Sequence, residues 1–155
     1  MRETTVDRAY AKTLLPPRKE DGHKGDFGKL LVLGGSVGYT GAPYLAASAA
    51  VHSGCGLVYL GVPESIWAVE AQKCVSAMPF PLPEADGRLC LASLDRMQDK
   101  LRSCDVLALG PGLGRGRETE QLVHALLWQV KEPLVLDADG LNALHGCTEK
   151  LDVRR

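Results

Sequence analysis

The stretch Asp105-Val-Leu-Ala-Leu-Gly-Pro-Gly-Leu-Gly114 runs a short apolar segment straight into a glycine-rich turn. Leu134-Val-Leu-Asp-Ala-Asp-Gly-Leu-Asn142 repeats the arrangement with aspartates in the turn, and Lys29-Leu-Leu-Val-Leu-Gly-Gly-Ser-Val-Gly-Tyr-Thr-Gly41 holds an upstream copy. Apolar runs this short, ending in Gly or Asp, suit buried parallel strands whose carboxyl ends open onto loops. Open α/β sheets bind ligands at those ends. Three such turns converging on one rim point to a small-molecule site.

Outward from these turns, strands alternate with helices. Strands are expected at residues 29–33, 57–60, 105–109 and 134–136, with a brief one at 75–78. Helices are expected at 42–53, 65–72, 91–104 and 119–130, with another starting at 141–145. Thr40 and Pro43 suit the start of the helix at 42–53, whose near absence of polar residues predicts a buried helix packed close to the sheet. Gly61 and Pro63 are expected to close the second strand, and Pro79, Pro81 and Pro83 to mark a rigid loop. Residues 1–28 read as irregular, with Pro16-Pro17 breaking any helix. The resulting fold class is α/β, one domain with a mostly parallel sheet and helices on both faces.

Composition narrows the function. The 155 residues are 45% hydrophobic and 24% charged with a net charge of -1, which suits a globular chain. No basic stripe is present and only 5% of residues are aromatic, so nucleic acid is not an expected partner. No long apolar run indicates a membrane span, and the charged N-terminus lacks the apolar core of a secretory signal. Cys55, Cys74, Cys90, Cys104 and Cys147 are odd in number and form no Cys-x-x-Cys pair, which favours reduced thiols and a cytoplasmic location over disulfides or zinc.

Each turn carries a chemical and a plain reading. The Gly34–Gly41 turn leads into a helix N-terminus able to cradle phosphate, or is a tight connection only. Its spacing is wrong for the Gly-x-Gly-x-x-Gly dinucleotide fingerprint. Gly34-Gly-Ser-Val-Gly38 spells the string of a hydrolase elbow, with Asp137 and His145 downstream, but the helix starts too late behind Ser36. Arg115 and Arg117 after the second glycine turn suit phosphate, or are solvated. Asp137 and Asp139 point to one side if the backbone stays extended, fit to hold Mg²⁺ through water or to accept from a ribose, unless Asp139 caps the next helix. Asn142 sits where its amide can turn toward the same rim. Lys24 reads as a contact to an anionic substrate or as a solvated loop lysine, and the four histidines show no metal-ligand spacing.

In order along the chain, His23-Lys-Gly-Asp-Phe-Gly28, Leu31-Val-Leu-Gly-Gly-Ser36, Tyr39-Thr-Gly-Ala-Pro-Tyr-Leu-Ala-Ala47, Gly54-Cys-Gly-Leu-Val58, Gly110-Pro-Gly-Leu-Gly114 and Asp137-Ala-Asp-Gly-Leu-Asn142 resemble the NAD(P)H-hydrate dehydratase family, a carbohydrate-kinase-related group with a ribokinase-like fold. The resemblance implies a partial ribokinase-like fold over residues 29–155, behind the irregular segment 1–28. It implies a lyase that uses ADP or ATP with Mg²⁺ to repair hydrated NADH or NADPH: phosphorylation turns the ring hydroxyl into a leaving group, and elimination restores the double bond. Carried over residue by residue, Ala42, Gly112, Gly114, Asp137, Asp139 and Asn142 match substrate-side positions, and no metal ligand is implied. The family's Thr-Pro-His-x-Gly-Glu and Gly-Thr-Gly-Asp segments, the second holding the catalytic aspartate, have no counterpart up to Arg155. The sequence thus reads as the amino-terminal half of a dehydratase, inactive or dependent on complementation, with a homo-oligomer or the missing C-terminal half as partner and an exposed strand edge prone to association. A small-molecule kinase of the same fold and a non-catalytic nucleotide-binding fragment are the alternatives.

Overall fold

The computed structural model describes residues 4–15, 17–18, 20–149 and 151. In chain order the elements are α1 (Arg8–Leu14), β1 (Lys29–Leu33), α2 (Gly41–His52), β2 (Leu57–Pro63), α3 (Glu64–Lys73), β3 (Met78–Leu82), β4 (Glu84–Ala85), β5 (Arg88–Leu89), α4 (Ser93–Ser103), β6 (Val106–Leu109), α5 (Arg117–Gln129), β7 (Leu134–Leu136) and α6 (Asp139–Asn142). Five strands form one sheet in the order β3-β2-β1-β6-β7, and every neighbouring pair is parallel.

The pleat explains why the strands read as continuous apolar runs. Successive side chains face opposite sides of a sheet. Leu31 and Leu33 of β1 join one core cluster with Leu107 and Leu109 of β6, Met97 of α4 and Leu122 and Leu126 of α5. Val32 joins the other cluster, with Val58 and Leu60 of β2, Ala47 of α2 and Ile66 of α3. Both faces are therefore covered, α2 and α3 on one and α4 and α5 on the other, as a parallel sheet requires.

Several elements depart from the sequence expectations. Residues 8–14 form a helix, started by Asp7, whose carboxylate accepts from the Tyr10 N–H at 2.8 Å. It ends at Leu14, and Leu15 before Pro16 is extended, as a residue preceding proline prefers. Pro16 itself, Lys150 and the chain after Leu151 lie outside the described residues. A 3-10 turn, Lys24–Phe27, follows.

The expected strand at 75–78 is displaced to β3, and Val75 is exposed. Pro79 and Pro81 lie inside β3 rather than in a loop. Because β3 is an outer strand, prolines two residues apart can both turn their missing N–H toward the open edge. The Pro79 carbonyl faces that way too, where the Trp67 indole N–H donates to it at 3.2 Å. Gly61 does not close β2 but sits within it, where a Cβ would collide with Leu33 and Leu82 of the core.

The helix at 41–52 is one-sided rather than buried. Only Pro43 and Ala47 are fully covered, while Leu45 is 65% exposed. Thr40 occupies its N-cap position without making a side-chain cap bond. The β4–β5 hairpin was not anticipated, although its turn carries the Asp-Gly signal for a tight two-residue connection. Asp86 and Gly87 both take positive φ, 50° and 71°.

All five cysteines are free. Burial pushes the Cys104 thiol above its ordinary range, and burial with the nearby Glu70 charge does the same to Cys74. A smaller thiolate fraction slows alkylation. Iodoacetamide labelling followed by mass spectrometry should find both thiols modified several-fold more slowly in the native than in the urea-unfolded chain. Equal rates would contradict the packing around them.

Candidate substrate rim

The chain leaves β1 toward β2 and β3 on one side of the sheet, and returns to β6 and β7 on the other. β1 and β6 are therefore the neighbours between which strand order reverses, and the crevice beyond their carboxyl ends is where open α/β sheets bind ligands. Two glycine turns meet there. The Gly35 N–H donates to the Pro111 carbonyl at 2.9 Å, and the Gly110 N–H to the Leu33 carbonyl at 3.1 Å. Ser36 is buried, and its hydroxyl donates to the Gly112 carbonyl at 2.8 Å. A serine locked in that way ties the turns together, so the hydrolase-elbow reading does not hold.

Gly112, at φ +68°, faces the start of α2. A Cβ built on it would stand 3.0 Å from the Tyr39 carbonyl oxygen and 3.3 Å from the Ala42 Cβ. Gly114, at φ +73°, donates its N–H to Asp139 at 2.9 Å, which joins the β6 turn to the β7 turn. The other Asp139 oxygen accepts from the Asn142 amide at 3.0 Å, and the Arg115 guanidinium is 3.9 Å away. Ala42, Gly112, Gly114, Asp139 and Asn142 thus occupy one end of the sheet.

Asp137 behaves otherwise. Ala138 takes φ +47°, so the backbone is not extended between the two aspartates and their side chains do not share a direction. Asp137 stays exposed. Asp139 starts α6 but spends its carboxylate on Gly114 and Asn142 rather than on a cap. The pair therefore does not fit a Mg²⁺ cage, and among the described residues no group of three His, Cys, Asp or Glu could hold a metal ion. Lys24 lies at the opposite, amino end of the strands, where the Phe27 and Gly28 carbonyls accept from the Gly56 and Leu57 N–H groups. It does not reach the rim.

A cavity of about 330 Å³ opens beside the Gly114–Asp139 bond, lined also by Arg115, Thr119, Asn142 and His145. Ala42 and Gly112 are not among its lining residues, so the rim has two adjoining parts. Arg88 was missed from sequence because its hairpin was missed. It extends along the second glycine turn, its Nε 3.0 Å from where a Gly114 Cβ would stand.

The family model described as NAD(P)H-hydrate dehydratase matches residues 30–154. The chain belongs to the NAD(P)H-hydrate dehydratase family. It is 46% identical over 144 residues to the bifunctional NAD(P)H-hydrate repair enzyme Nnr of Moorella thermoacetica, covering 92% of this chain and 27% of that protein. It is 37% identical to the ADP-dependent (S)-NAD(P)H-hydrate dehydratase of Neisseria meningitidis, covering 89% of this chain and 43% of the relative. The ADP/ATP-dependent NAD(P)H-hydrate dehydratase of Bacillus subtilis, co-crystallised with ATP and Mg²⁺, superposes with a TM-score of 0.65 at 27% identity, over 86% of this chain and 45% of that one. The dehydratase-family chain thus spans between about a quarter and under half of the length of these proteins.

Proposed function

We propose that this chain forms the substrate-side wall of an ADP- or ATP-dependent dehydratase that repairs hydrated NADH and NADPH. Ala42 and Gly112 border the ligand where the second glycine turn meets the start of α2. Gly114 borders it, with Asp139 and Asn142 fixing that turn and exposed Asp137 offering an acceptor to a ribose hydroxyl. The observation that carries this reading is the contact of Gly112 with the Tyr39–Ala42 segment at the strand-order reversal, because a backbone without a side chain lets the second glycine turn close onto the start of α2 and form one continuous wall. Phosphoryl transfer to the ring hydroxyl and elimination of the phosphate belong to the whole protein. We place the groups that perform them in the part of the relatives' length outside the matched region. Mg²⁺, when bound with the nucleotide, would neutralise its phosphates.

Five free thiols suit a reducing compartment such as the cytoplasm. Among the described residues no helix is long and apolar enough to cross a membrane. β7 ends the sheet among those residues, with Val135 57% exposed, and we place further polypeptide, from the same protein or a second copy, against that edge.

Calorimetric titration with hydrated NADH, NADH and ATP tests the reading. Hydrated NADH is expected to bind, and Gly112→Ala to weaken it by about tenfold, since the new methyl would press on the Tyr39 carbonyl and the Ala42 Cβ and push the two sides of the wall apart. Unchanged affinity in the variant, or no binding by the parent, would sink the proposal. Binding without turnover is the result expected if this chain acts as the wall alone.

A further inference from the structure

α3 turns Ile66 and Glu70 inward at four-residue spacing. Glu70 is fully buried, which is costly for a carboxylate unless it is paired. One of its oxygens lies 3.0 Å from the Lys73 ammonium, and the other has no partner among the described side chains and backbone. The same helical pair placed on the surface would need no burial at all. What the buried arrangement achieves lies further on: Lys73 Nζ also donates to the Thr40 carbonyl at 2.9 Å.

Thr40 belongs to the segment that closes on Gly112. Upstream, this turn is held by the Val37 N–H on the Gly87 carbonyl and the Tyr39 N–H on the Ser36 carbonyl. Downstream it runs directly into the first turn of α2, whose N-cap is Thr40. Gly38 and Gly41 have open space where side chains would be, and the Thr40 hydroxyl makes no cap bond. The Lys73 ammonium is the anchor from outside.

We propose that Lys73 is a positioning residue, held by buried Glu70, that fixes the Tyr39–Ala42 side of the rim through the Thr40 carbonyl. This rests on the reading of that rim as the hydrated-dinucleotide site. Lys73 touches neither Gly112 nor the ligand and acts only by setting where Ala42 stands. A buried ion pair is a poor stabiliser compared with apolar side chains of similar size, so its presence here fits a role in position rather than in stability.

The test is made on the whole chain. Lys73→Met alone leaves Glu70 buried and unpaired and risks unfolding. The double variant Glu70→Leu with Lys73→Met removes the anchor and keeps the core apolar. The double variant is expected to melt within a few degrees of the parent, to exchange the amide hydrogen of Tyr44, the first in α2 with an intrahelical acceptor, about tenfold faster, and to bind hydrated NADH about tenfold more weakly. Lys73→Arg, which preserves the donor, is expected to restore most of both. Parent-like exchange in the double variant would overturn the positioning role. Faster exchange with parent-like affinity would equally overturn it, by detaching the anchor from binding. If the parent itself fails to bind hydrated NADH, the functional reading falls, while the exchange comparison still decides whether Lys73 anchors the turn.

Discussion

Gly110→Ala is expected to cost about 3 kcal/mol of stability and to lower the melting temperature by about 9 °C. Gly110 takes φ +134°, which side-chain-bearing residues rarely adopt, and a Cβ there would collide with the Asp137 backbone carbonyl. The residue cannot retreat easily. Its N–H is held by the Leu33 carbonyl and its own carbonyl accepts from the Leu113 N–H at 3.2 Å. One glycine therefore sits at the junction of β1, β6 and β7. Gly38→Ala is the control, since Gly38 shares positive φ, at +90°, but has nothing within 4 Å. It should cost only the backbone strain, about 1 kcal/mol. Scanning calorimetry decides between them. Equal losses would mean that the crowding at Gly110 carries no weight.

Asp139→Ala is expected to affect both stability and binding. The change leaves the part-buried Gly114 N–H without its acceptor and frees the Asn142 amide, at a cost of about 2 kcal/mol. The β6 and β7 turns would lose the bond that fixes their separation, and affinity for hydrated NADH is expected to fall by at least about tenfold. Asp139→Asn should recover much of the stability, because its amide oxygen can still accept from Gly114, but it surrenders the charge opposite Arg115. Thermal melts and titration of the two variants make the comparison. If alanine and asparagine behave alike, and like the parent, the bridge is incidental.

Much of this was legible from residue order alone. β1 and β7 begin and end where the apolar runs do, and the glycine turns were recognisable because no other residue tolerates their backbone angles cheaply. The site was legible only in outline. Asp137 and Asp139 looked like a pair because alternation assumes an extended chain, and the positive φ of Ala138 removes that assumption. Arg88 and Lys73 carried no signal as rim residues, since each reaches the rim from an element remote in sequence. The β3 prolines misled for a related reason: a proline reads as a loop unless the strand is known to lie at an edge.

The order and kind of the main elements, the turns that interrupt them and the membership of the dehydratase family are properties of the sequence itself, because backbone preference and apolar periodicity act over a few neighbouring residues. Strand order was not encoded that way. It alone brings Ser36 to Gly112 and Asp139 to Gly114, places Pro79 and Pro81 at an open edge, and brings Lys73 to the Thr40 carbonyl. Those contacts join residues tens of positions apart, and only the packing of helices on both faces of one parallel sheet selects them.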